Sequence, residues 1–124
     1  MRSSNRDLPV VFEGAGAVSR QAEWGSMNVA IESIPAGTDT TPLFKGLPDD
    51  RCQCPHWGYV TRGQFRVMYG DHEEVVRAGD AYYLTPGHAV VFEQDTEVIE
   101  YSPQGEYQKT MDVIARNMAA MEQA

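Results

Sequence analysis

Hydrophobic and polar residues alternate over short stretches of this chain, and Pro and Gly repeatedly cut the pattern. Alternation with a period of two predicts strands, because successive side chains of an extended backbone point to opposite faces. Residues 8–13 read as a first short strand. Residues 26–34 put Met27, Val29 and Ile31 on one face and Asn28 and Glu32 on the other, and the Pro35-Ala36-Gly37 turn ends the segment. Residues 38–50, with Pro42, Gly46 and Pro48, read as loop. Strand signals then run densely to Pro103, over residues 57–62, 64–69, 73–77, 81–84, 89–93 and 97–101. Turns at Gly63, Gly70-Asp71-His72, Ala78-Gly79-Asp80, Thr85-Pro86-Gly87 and Gln94-Asp95-Thr96 separate them. Phe65, Val67 and Tyr69 share one face. Short strands at this spacing predict an antiparallel sandwich or barrel.

The period changes near the C-terminus. Tyr107, Met111, Ile114, Met118 and Met121 recur at steps of four and three, which is one face of an amphipathic helix over about residues 104–121. Ser102 is the expected N-cap and Pro103 the first helical residue. The Met face needs apolar surface on the barrel or on a second copy, since a lone helix of this length is marginal in water.

Composition narrows the class. The 124 residues, 42% hydrophobic and 23% charged, suit one soluble globular domain. With 10 Lys+Arg against 18 Asp+Glu the net charge is −8, which argues against nucleic acid and against anionic membrane surfaces. No apolar run reaches the length of a membrane span, and the polar N-terminus has no signal-peptide core, so the cytoplasm is the expected location. Two cysteines two positions apart make a strained disulfide, and in a reducing compartment such thiols are free, metal-bound or redox-active.

The chemistry concentrates between Asp49 and Tyr59. Asp50, Cys52, Cys54 and His56 have equal parity, so a regular strand there would present two thiols, an imidazole and a carboxylate on one side. Pro55 is the residue that can break this register. His88 opens the strand after the Thr85-Pro86-Gly87 turn, and pairing of that strand with the one following His56 would bring the imidazoles together. Cys52, His56 and His88 are therefore the expected ligands, with Cys54 as the fourth and Asp50 in reserve. Thiolate and imidazole favour a divalent metal of the zinc type, with iron second. His72 sits among Asp71, Glu73 and Glu74 and is expected to be solvent-exposed. Tyr82, Tyr83 and Tyr101 read as core or cavity wall, and Tyr82, Leu84, Val90 and Phe92 as the lining of a small-molecule pocket.

The order of turns resembles the cupin superfamily. Gly79-Asp80 followed by Thr85-Pro86-Gly87 resembles its second motif. Gly63, seven residues after His56 and followed by an alternating strand, resembles the end of its first. The resemblance spans about residues 46–103 and implies a double-stranded β-helix, a jelly-roll barrel, carrying here a C-terminal helix. The usual ligands do not transfer position by position. His56 falls where the family has Glu, Cys52 and Asp50 fall at the two histidine places, and Val90 takes the place of the second motif's histidine, two residues after His88. The resemblance also implies pairing of copies through sheet faces.

Two function classes stay open. One is a metal-dependent isomerase, cyclase or hydrolase of a small organic molecule. The other is a metal-free barrel that binds a small molecule without turning it over.

Overall fold

The computed structural model describes residues 1–122. Nine strands, β1(Val10–Gly14), β2(Ala17–Trp24), β3(Met27–Ile34), β4(His56–Arg62), β5(Gln64–Met68), β6(Glu73–Arg77), β7(Ala81–Leu84), β8(Ala89–Phe92) and β9(Thr96–Pro103), precede one helix, α1(Gln104–Glu122). They form a six-stranded sheet in the order β1-β2-β3-β9-β4-β7 and a three-stranded sheet in the order β6-β5-β8. Every pairing is antiparallel. The two sheets and the helix make the jelly roll that the turn order implies.

The alternation rule accounts for the core. Phe65 and Val67 of β5 point inward and are buried, as are Val76, Val90 and Phe92 of the same sheet and Val60, Leu84 and Val98 of the facing one. A second apolar cluster, Phe44, Cys52, Cys54 and Ala89, receives Tyr107 and Ile114 from α1. Gly63 turns β4 into β5 with φ of +83°, and a Cβ there would stand 2.2 Å from the Asp95 carbonyl oxygen. Only glycine fits that conformation and that approach.

Several expectations are corrected. β2 was not foreseen, because Ala17–Trp24 alternates weakly: its inward Ser19 and Gln21 are polar. β3 keeps the two faces the alternation separates, and it is the Glu32 and Ile34 side that lines the interior cavity, with Val29 and Ile31 on the opposite face. β9 runs on to Pro103, so Ser102 is a buried strand residue and not a helix cap. Residues 38–50 contain two short 3-10 turns, Thr41–Phe44 and Pro48–Asp50. Tyr83 and Tyr101 are exposed on the outside of the six-stranded sheet, beside Trp57 and Tyr59. Tyr83 stacks on Trp57 with ring centres 4.9 Å apart.

α1 meets its expected apolar surface: Tyr107, Met111, Ile114 and Met118 form one wall of the cavity. Asn117 fastens the helix by donating from Nδ2 to the carbonyls of Leu43 at 2.7 Å and Lys45 at 2.8 Å. No helix among the described residues is long and apolar enough to cross a membrane.

Candidate functional site

Three of the expected ligands converge. The ligand atoms of Cys52, His56 and His88 all lie within 4.8 Å of one another, and all three residues are buried. Cys52 Sγ is 3.6 Å from His56 Nε2, and the two imidazoles meet edge to face with centres 5.2 Å apart. A sulfur and a nitrogen bound to one tetrahedral zinc stand about 3.5 Å apart, given bonds of about 2.3 and 2.0–2.1 Å. The Cys52–His56 spacing fits that donor pair.

The route to this convergence differs from the expected one. β8 pairs with β5, not with β4. His88 instead reaches the site through an isolated bridge to Cys52, in which the Cys52 amide donates to the His88 carbonyl at 2.8 Å and the Gly87 amide to the Cys52 carbonyl at 2.8 Å. His56 is the first residue of β4, opposite Leu84.

The second nitrogen of each ring is held. His88 Nδ1 lies 2.7 Å from the Thr85 carbonyl oxygen. A carbonyl only accepts, so Nδ1 carries the proton and the lone pair of neutral His88 is on Nε2. His56 Nδ1 lies 2.6 Å from Ser102 Oγ and 3.7 Å from Glu100 Oε2. The nearby carboxylate favours a proton on Nδ1, which leaves Nε2 free to face Cys52 Sγ. Outer partners of this kind orient histidine ligands in metal sites. Burial holds both rings neutral: it pushes the pKa of His56 down to about 4, and that of His88 down to about 4 with a further contribution from His56. Burial likewise pushes the Cys52 thiol up to about 12, so a metal would have to displace its proton.

Cys54 and Asp50 do not join the cluster. Cys54 is fully buried, but its thiol lies 3.5 Å from the Pro55 carbonyl and packs with Phe44 and Ala89. The equal-parity argument fails because regular strand begins only at His56, after Pro55. Asp50 is exposed in a left-handed conformation (φ +54°) and caps the Gly46 amide at 3.0 Å. His72 is exposed and pairs with Asp71, as expected.

Cys52, His56 and His88 open onto a cavity of about 730 Å³. Tyr82, Leu84, Val90 and Phe92 all line it, as does Phe65. Two carboxyl groups unforeseen in the sequence, Glu32 and Glu100, also face it. Glu100 Oε1 accepts from the Tyr82 hydroxyl at 2.8 Å. Burial raises the pKa of Glu100, and burial together with the Glu100 charge raises that of Glu32. Gly58 makes room for Tyr82: a Cβ there would stand 2.3 Å from the Tyr82 ring. The signal for Glu100 was present in the alternation of β9, where Thr96, Val98 and Ser102 of the same parity are buried.

The two antiparallel sheets with the C-terminal helix have a cupin-like jelly-roll fold. Residues 55–103 match the family model described as the AraC-like ligand binding domain. Among solved structures, an RmlC-like cupin from Shewanella frigidimarina is 18% identical with a TM-score of 0.59, over 82% of this chain and 88% of that one. KdgF from a Halomonas species is 20% identical with a TM-score of 0.55, over 81% and 90%. Fe(II)-bound HppE is 12% identical with a TM-score of 0.56, over 82% of this chain and 59% of that one. At these identities the likeness is one of fold. No curated protein sequence matches the chain.

Proposed function

We propose that this protein is a metal-dependent cupin that acts on a small organic molecule, with Cys52, His56 and His88 holding the ion. The observation that carries this reading is that these three donors, and no fourth among the described residues, gather at the wall of the cavity. Structural zinc sites are closed by four protein ligands, whereas catalytic ones keep a position open. The donor set suits zinc first and iron second. A divalent ion there would supply Lewis-acid polarisation of an oxygen on the bound molecule.

The chain's own residues do the rest. Tyr82, Leu84, Val90 and Phe92 hold the apolar body of the molecule and exclude water. Ser102 and the Thr85 carbonyl fix the two imidazoles. Glu100, part-buried and hydrogen-bonded to Tyr82, can take or give a proton at its carboxyl oxygen. Isomerisation, cyclisation and hydrolysis all use these elements. Free buried thiols fit a reducing compartment such as the cytoplasm, and the exposed Trp57, Tyr59, Tyr83 and Tyr101 on one sheet face suit a homodimer.

Cobalt(II) added to metal-stripped protein tests the ligand set. A thiolate-to-cobalt charge-transfer absorption is expected, lost in Cys52→Ser and kept in Cys54→Ser. Its absence in the wild type contradicts the reading.

The family model's description as a ligand binding domain favours a second reading, a barrel that binds its small molecule without metal. In that case ligand binding is unchanged by Cys52→Ser.

A further inference from the structure

We propose that the cavity takes a small molecule with a cationic head, an ammonium or amidinium group on an apolar body, bound head-first between Glu32 and Glu100. The inference rests on the cavity being a ligand site, as above, and not on the metal.

The charge of the lining is one-sided. Glu32, Asp39 and Glu100 contribute carboxyl groups, and the lining contains no lysine or arginine. Asp39 is exposed and already accepts from the Thr41 amide at 2.9 Å, so the two glutamates carry the argument. Glu32 lies opposite Val98 and Glu100 opposite Ala30 in the β3–β9 pairing. The glutamates are therefore diagonal neighbours on the inward face of adjacent strands, close enough for one small group to touch both. Of the side chains around them, the Tyr82 hydroxyl donates to Glu100 Oε1, His56 Nδ1 stands 3.7 Å from Oε2, and the Ser19 hydroxyl hydrogen-bonds Glu32. No lysine or arginine is among them.

Burial pushes both carboxyl groups toward their neutral form, and a cation placed between them offsets the cost of ionising them. The same pair repels a carboxylate or phosphate, which gives the cavity a sign preference as well as an affinity. Beyond the glutamates the walls are Phe65, Leu84, Phe92 and Val98. A ring or short alkyl body fits that surface.

Three probes of one shape test this: 2-phenylethylamine, 2-phenylethanol and phenylacetate, titrated calorimetrically into the metal-stripped full chain, where no bound dication offers a carboxylate a ligand position. In the metal-stripped chain the amine is expected to bind about tenfold or more tighter than the alcohol, and the carboxylate weakest. Glu32→Gln should erase the amine's advantage, and Glu93→Gln, on the outer surface with Arg66, should keep it. If Glu32→Gln does not fold, the ranking of the three probes on the wild type decides. Phenylacetate binding as tightly as the amine overturns the proposal. So does an amine that does not bind at all, or one whose affinity survives Glu32→Gln. Failure of the metal reading shows separately, as zinc that is not retained while the amine preference stands.

Discussion

The backbones of Cys52 and His88 are joined directly, the Cys52 amide donating to the His88 carbonyl at 2.8 Å. This one bridge carries a loop residue and a turn residue to the same point, where both side chains turn inward to His56. The site therefore sits on a contact between the two sheets' connecting segments and not within a single strand.

Ser102→Ala should weaken metal binding about 10- to 100-fold, because it removes the oxygen 2.6 Å from His56 Nδ1 while leaving all three donors in place. Competition with a chromophoric chelator reads this. An unchanged affinity would mean that Ser102 does not orient the ring.

Acid stability of the metal-free protein has two opposing contributions. His56 and His88 titrate near 4 in the fold against 6.5 when exposed, so the unfolded chain binds more protons between those values and stability falls as pH falls from about 6.5 to 4. Glu32 and Glu100 have raised values, so the folded state binds the extra protons. Their contribution is present at low pH and is lost as pH rises above the ordinary carboxylate range. The two slopes oppose each other around pH 5–6. Urea unfolding of a Glu32→Gln, Glu100→Gln variant should show a steeper loss of stability on acidification than the wild type. An equal slope contradicts the assignment.

Gly63→Ala should destabilise the fold by about 3 kcal/mol or more, since it adds a strained positive φ to a Cβ set against the Asp95 backbone. Gly79→Ala carries a similar φ of +92° but meets nothing within 4 Å, and should cost only about 1–2 kcal/mol. Thermal unfolding of the two variants separates strain from collision.

Asn117→Ala should loosen α1 by removing two hydrogen bonds to the Leu43 and Lys45 carbonyls, at about 1–2 kcal/mol. Hydrogen exchange should speed up along the second half of the helix and leave β4 and β9 unchanged. Uniform exchange across the chain would show that the helix is held mainly by its Met111, Ile114 and Met118 face.

The strands from β4 to β8 were legible because their alternation is strong and β4 to β7 each end at a Gly or Pro turn. The helix was legible from the spacing of its Met and Tyr residues. β2 and the inward face of β3 were not, because Ser19, Gln21 and Glu32 put polar groups toward the interior, and hydrophobic patterning reads polar residues as outward. Tyr83 and Tyr101 fail for the mirror reason: they are aromatic yet exposed. In the site, Cys52, His56 and His88 were found by residue type, while the parity used to add Cys54 does not survive Pro55. Glu100 and Ser102 were missed because their partner, His56, is more than forty positions away in sequence.

Elemental analysis of untagged protein purified without added metal tests the central claim most directly. About one equivalent of zinc or iron per chain is predicted, lost in His56→Ala and retained in His72→Ala and Cys54→Ala, as three protein ligands with an open fourth position require. Protein that folds with no bound metal, or metal that survives His56→Ala, would contradict it.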